Sequence, residues 1–205
     1  MRIALARIIH GVGELILTAG VLLVLFAAYG LYGTAAETEA EQDRLNTVFH
    51  TGPLAAAPPP ARESEPVSVL DIPRLKKSWV VVEGVSQKAL KKGPGHYPET
   101  ADPGEVGNFA VAAHRTPSFF WDLDLLREGD EIVAETRSTR FVYRVVRQRI
   151  VTPGQVEVID PNPDAPGAPA RREMLTLTTC HPRMANYQRL VVHAELAESL
   201  PKGAA

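Results

Sequence analysis

Apolar positions mass at the start of the chain and then break into short alternating runs, and the two patterns predict different structures. From Leu15 to Tyr32 there are 18 residues without a formal charge, the lower edge of what spans a hydrocarbon core as a helix. Starting the run at Ile8 lengthens it and places His10 and Glu14 near the cytoplasmic interface. Arg2 and Arg7 precede the run, while Glu37, Glu39, Glu41 and Asp43 follow it. The basic residues put the N-terminus inside and the bulk of the chain outside. A cleaved signal peptide is the rival, with Thr34-Ala35-Ala36 as a small-residue site. The run is long for a signal core, so an uncleaved anchor over residues 1–33 is preferred.

Residues 34–66 read as a tether. Thr34 to His50 is rich in Ala and Glu and suits a continuing polar helix, whereas Thr51 to Pro66 carries Pro53, Pro58, Pro59, Pro60 and Pro66. Proline fixes φ and removes a donor, so this stretch predicts an extended linker. At about 3.1 Å per residue it reaches roughly 50 Å. From residue 67 to 205 the pattern turns to short β runs, with candidate strands at 67–72, 79–83, 108–113, 131–136, 140–149, 155–159, 174–179 and 190–196. They are rich in Val, Ile, Phe and Tyr and are separated by Pro, Gly and Asp. Short helical turns fit 86–91 and 119–127, the second amphipathic and ended by Gly129-Asp130. Eight strands at this spacing predict a mainly β domain, a closed or nearly closed eight-stranded barrel.

Composition adds exclusions. Hydrophobic content of 45% with 22% charge supplies a packed core. A net charge of -2 without a Lys/Arg block gives no electrostatic case for nucleic acid. There is no glycine-rich phosphate loop, and no cofactor is expected. Asp122, Asp124 and Glu128 are the acidic residues a cation could use, and a solvated helix face is the plainer reading.

The chain has one cysteine, Cys180, at the end of the run Met174-Leu-Thr-Leu-Thr-Thr-Cys180. An exported chain with a single thiol has no internal disulfide to make. Along that strand side chains alternate, so Leu175 and Leu177 face the core while Thr176, Thr178 and Cys180 share the other face. Pro182 ends the ladder just after it. A nucleophilic thiol needs a proton partner, usually His. His10 and His50 lie outside the domain, His193 sits within an apolar strand, and His181 neighbours Cys180 and so points away from it. His96 and His114 remain, and His114 is favoured because a strand of small apolar residues delivers it to the same groove. Arg189 opens the last strand; antiparallel pairing would return it beside the thiol as a donor for a substrate carbonyl or oxyanion.

Thr176-Leu-Thr-Thr-Cys180, Gly107-Asn108 leading to His114-Arg115, and Arg189 a short loop later together resemble the sortase family. Gly93-Pro-Gly-His-Tyr-Pro98, His114-Arg-Thr116 and Thr179-Cys180-His-Pro182 are most similar to class E sortases of high-GC Gram-positive bacteria. The resemblance covers about residues 67–200. It implies a sortase β-barrel and a membrane-anchored, extracellular cysteine transpeptidase with Cys180, His114 and Arg189 as catalytic residues. It also implies that the enzyme cleaves between Thr and Gly of a C-terminal sorting signal on secreted proteins, Leu-Ala-x-Thr-Gly rather than Leu-Pro-x-Thr-Gly. The acyl group would pass to an amine of a peptidoglycan precursor or a pilin. Tyr97 lies in the segment linked in that class to the second signal position, and Thr178 joins it as a substrate-binding residue. A cysteine endopeptidase acting by hydrolysis, a pilin-polymerising sortase and a tethered binding domain with an idle thiol are the alternatives.

Overall fold

The computed structural model describes residues 2–29, 34–52 and 62–202, in two compact units, Met1–Glu39 and Ala40–Ala205. The proline run from 53 to 60 and the end of the apolar run at 30–33 lie outside the described residues. Helix α1 (Arg2–Ala28) leaves Leu15, Ile16, Leu17, Leu22, Leu23, Val24, Leu25 and Phe26 exposed. Its window His10–Ala27 is long and apolar enough to cross a membrane. A polar second helix follows, α2 (Thr34–Thr51).

The second unit is a closed antiparallel and parallel barrel. Its strands are β1 (Pro66–Ile72), β2 (Lys77–Glu83), β3 (Gly95–His96), β4 (Gly107–Ala112), β5 (Glu131–Glu135), β6 (Thr139–Val151), β7 (Glu173–His181) and β8 (Gln188–Pro201). A single helical turn, α3 (Gln87–Leu90), is N-capped by Ser86, whose Oγ accepts from the Ala89 N–H. Strand order is β1-β2-β3-β4-β7-β8-β6-β5, and β5 pairs with β1 to close the ring. Closure leaves no open sheet edge. Phe109, Val111, Leu175, Leu177, Val192, Ala194 and Tyr143 fill the interior. They alternate along β4, β7, β8 and β6 with outward residues, as the period-2 pattern requires.

Eight strands are present, but not the eight that alternation predicts. Val156–Ile159 is a 3-10 turn, so the strand expected at 155–159 is corrected. Only Val158 of that stretch is buried, with Val151 and Val191, and its carbonyl is claimed by His193 Nε2 at 3.1 Å. The eighth strand is instead β3, two residues between prolines and glycines. The helix expected over 119–127 shrinks to a 3-10 turn at Leu123–Leu125. Phe119, Phe120, Leu123 and Leu126 are all buried as an amphipathic helix would have them. The Trp121 carbonyl accepts from Arg115 Nε and Arg183 Nε, while the Leu125 N–H bonds Asp122 O instead. That substitutes an i→i+3 turn for an α-helical bond.

The shortness of β3 explains what the second half of α2 does. Along β2, β3 reaches only Val82 and Glu83, which leaves the Val80 peptide without a strand partner on that side. Gln42 supplies one: its Oε1 accepts from Val80 N–H at 2.7 Å, and its Nε2 donates to Val80 O at 3.2 Å and Lys92 O at 2.7 Å. Leu45 buries with Val80, Val82 and Ala89, and Phe49 is buried with Arg137 over its ring. The stretch from 40 to 51 is therefore packed and hydrogen-bonded to the barrel.

Candidate active site

The outward face of β4, β7, β8 and β6 carries the reactive groups in rows. β7 and β8 are antiparallel with Cys180 directly opposite Arg189, and Arg189 lies opposite Val151 of β6. β4 runs parallel to β7 with Ala112 opposite Thr178. The ladder carries on past β4 through an Ala113 N–H bond to Thr178 O at 3.1 Å, and Thr179 Oγ1 donates to Ala113 O at 2.8 Å. His114 lies two residues beyond Ala112, past the end of the ladder, where its carbonyl accepts from the Phe120 N–H at 3.2 Å. Cys180 and Arg189 thus stand side by side on adjacent strands about 4.8 Å apart, and alternation carried past Ala112 would add His114 to the same row.

Each group is half-buried, open to a ligand on one side. Cys180 is a free thiol. The Arg189 Nη1 donates to Asn186 O and Gln188 O, each at 2.8 Å, which ties the fork to the turn before β8. Those bonds engage Nη1 alone.

One row further along, Thr178 is flanked by Ala112 and Val191. Tyr97 follows β3, its N–H bonded to Ala110 O, and its hydroxyl meets Thr178 Oγ1 at 3.3 Å. The structure thus brings Tyr97 and Thr178 together beside the reactive row. Opposite them the connection from β6 to β7 lies over the sheet. Asn108 Nδ2 donates to Asp160 O at 3.0 Å, and Thr176 Oγ1 donates to Asn108 Oδ1 at 2.7 Å. With the His193 bond to Val158, these fix that connection against the outward face of the sheet. It leaves Val156 exposed.

The remaining histidines are placed elsewhere. His96 is opposite Val111, on the core-facing side of β3. Its Nδ1 meets Glu83 at 2.9 Å, and its Nε2 meets Ala101 O and Thr100 Oγ1. His193 is fully buried; burial first, and then the Arg147 charge, depress it to about 4. His181 is engaged by Arg115, with its Nδ1 at 2.8 Å from Nη1.

Arg115 itself is a residue that sequence reasoning quoted without giving a role. It is buried, and besides His181 it reaches Cys180 O at 3.4 Å, Trp121 O at 3.4 Å and Asp124 at 2.9 Å. Arg183 repeats the grip from the outside, on Trp121 O, Asp122 and Asp124, with its guanidinium 5.1 Å from the Trp121 ring centroid. Burial works to raise Asp124, yet the Arg183 hydrogen bond and the Arg115 and Arg183 charges outweigh it and hold the carboxyl below its usual range. Asp122 and Asp124 thus serve arginines. Among the described residues no three His, Cys, Asp or Glu side chains are grouped to hold a metal ion.

Comparison with known proteins returns a consistent set. A family model described as sortase domain matches residues 70–197. Sortase SrtE1 of Streptomyces coelicolor is 34% identical over 205 residues, covering 94% of this chain; the chain spans 58% of that relative's length. Among solved structures, the SrtA sortase from Actinomyces oris superposes with a TM-score of 0.67 at 36% identity, over 74% of this chain and 92% of that one. Sortase E1 from Streptomyces coelicolor, solved with a tripeptide in its active site, gives 0.63 at 34% identity, over 69% and 95%.

Proposed function

The chain belongs to the sortase family, and from that membership and the row His114–Cys180–Arg189 we propose that it is a membrane-anchored cysteine transpeptidase. The observation that carries the reading is Cys180 directly opposite Arg189 on paired strands, with His114 two residues past the end of the neighbouring strand. Cys180 Sγ attacks the carbonyl of a peptide threonine as its proton passes to the His114 imidazole. Arg189 donates to the oxygen that becomes negative. Collapse of the tetrahedral intermediate breaks the Thr–Gly bond, and the imidazolium gives its proton to the departing glycine amine. The thioester is then attacked by an acceptor amine, whose proton returns through His114 to the thiol.

The groove suits an extended signal with small apolar side chains. Thr178 and Tyr97 line one side, and the Val156–Val158 turn lines the other. We place the second residue of a Leu-Ala-x-Thr-Gly signal against Tyr97, whose tethered ring favours alanine over proline there. A peptide in the groove is supported by the tripeptide held in the active site of the Streptomyces coelicolor relative. The exposed apolar stretch of α1, with Arg2 and Arg7 before it, is read as a single anchor with the barrel outside the cell. Secreted proteins bearing the signal are the donors, and a peptidoglycan precursor or pilin amine the acceptor.

Incubating the purified chain with a Leu-Ala-x-Thr-Gly peptide and an amine such as triglycine tests this. Intact-mass analysis is expected to show a thioester on wild type and none on Cys180→Ala. His114→Ala is expected to lower turnover by about 10²–10⁴-fold, and Arg189→Ala by about 10²–10³-fold. A thioester that yields only hydrolysed peptide at saturating amine would make the protein an endopeptidase instead.

A further inference from the structure

Arg115 makes more polar contacts to this site's framework than any of the three residues assigned to the chemistry, yet none of its contacts is to the reacting face. Its side chain is 2% exposed. It follows His114 directly, so whatever fixes Arg115 fixes the backbone that presents the imidazole. At its far end Nη1 donates to Cys180 O and to His181 Nδ1. A guanidinium has only donors, so His181 Nδ1 accepts and the ring proton sits on Nε2. The neighbouring imidazole is thereby held on the side away from the thiol. Nη2 pairs with Asp124, and Nε reaches Trp121 O.

Resting on the transpeptidase reading, we infer that Arg115 is a positioning residue: it locks the His114 segment to the Cys180 peptide and sets the alignment of imidazole and thiol. The geometry gives the reason for an arginine. The end of β4 and the end of β7 are joined by the two ladder-extending bonds at Ala113, and past that point no backbone bond joins residue 114 to residue 180. Alignment beyond it falls to a side chain able to grip both strands and the 121–124 turn at once. A planar fork with five donors does this; an ammonium point charge does not. Asp124 balances the buried cation, and Arg183 holds Asp124 in turn.

The test uses the full chain in detergent micelles, with iodoacetamide as the probe of Cys180 across pH 5–9 and thermal melting as the folding control. Arg115→Met is expected to slow alkylation at neutral pH by about tenfold and to change its pH profile. Arg115→Lys is expected not to restore it. In a His114→Ala background, Arg115→Met is expected to add no further change, because the alignment it maintains is already lost. A merely structural role would lower the melting point and leave the pH profile of the folded protein as in wild type, or would act equally in both backgrounds; either result overturns the inference. Should Arg115→Met fail to fold, Asp124→Asn, at a more exposed position, is subject to the same expectations at smaller amplitude. The probe needs no peptide. Predicted alkylation without a thioester on the sorting peptide would refute the transpeptidase reading and leave the positioning role standing.

Discussion

Parity separates the two candidate histidines for Cys180. His114 lies an even number of residues from Ala110 and Ala112, which face outward. His96 lies opposite Val111, on the inward face. The alternation of Thr176, Thr178 and Cys180 was legible in the sequence, and so was the return of Arg189, because a short loop between strands dictates an antiparallel pair. The partners of His96 were not legible, since Glu83, Thr100 and Ala101 converge only in the folded chain. The two histidines should therefore fail differently. His96→Ala removes bonds from a buried ring and leaves Glu83 facing a gap, a cost of about 1–3 kcal/mol in stability, with Cys180 alkylation unchanged. His114→Ala should melt within about a degree of wild type and lose the pH dependence of alkylation conferred by the pair. Melting curves and iodoacetamide rates on the same samples check this; the opposite pattern would hand the proton-carrier role to His96.

Elements follow the same logic at longer range. Strands with a clean period of two were readable, and the ones misjudged show what overrides the pattern. Val156–Ile159 has β-branched residues in alternation, but His193 takes the Val158 carbonyl and the segment curls. β3 has no periodicity to read; it exists because Val82, Glu83, Ala112 and Val111 flank it on both sides. Helix α2 is the larger surprise, as its Ala/Glu-rich sequence gives little hint of a docked face. Gln42, Leu45 and Phe49 mark that face at spacings of three and four. Leu45→Ala should destabilise the protein by about 2–5 kcal/mol. Gly93→Ala should cost about 1–3 kcal/mol, because its new methyl would press on Gln42 Nε2 and lie 2.7 Å from the Val80 carbonyl oxygen. Urea unfolding at neutral pH measures both; values near zero would mean that α2 detaches freely and that the packing around Leu45 contributes nothing.

At the scale of the whole molecule, the barrel buries a histidine whose cost is paid through pH. His193 is fully buried beneath the β6–β7 connection, faces Arg147 across the β6–β8 ladder and senses Arg149, with Asp164 the one acidic group acting on it. Burial and then Arg147 depress it to about 4, against 6.5 for the free side chain. A base with a depressed folded value is neutral in both states above pH 6.5, so it takes nothing from stability there. Between pH 6.5 and 4 the unfolded chain binds a proton that the folded chain refuses, and stability falls by up to about 1.4 kcal/mol per pH unit. The total approaches roughly 3 kcal/mol near pH 4. Asp164, held low by its hydrogen bond to Arg147, begins to withdraw stability only as pH drops into the carboxylate range, so the window from 6.5 to 5 separates the histidine from Asp164. His193→Gln keeps a donor for the Val158 carbonyl and cannot titrate. Its unfolding free energy, followed from pH 7 to pH 5, should be flatter than wild type by most of that slope. Parallel curves would mean that the β6–β7 connection opens to admit the proton and is far softer than its hydrogen bonds indicate.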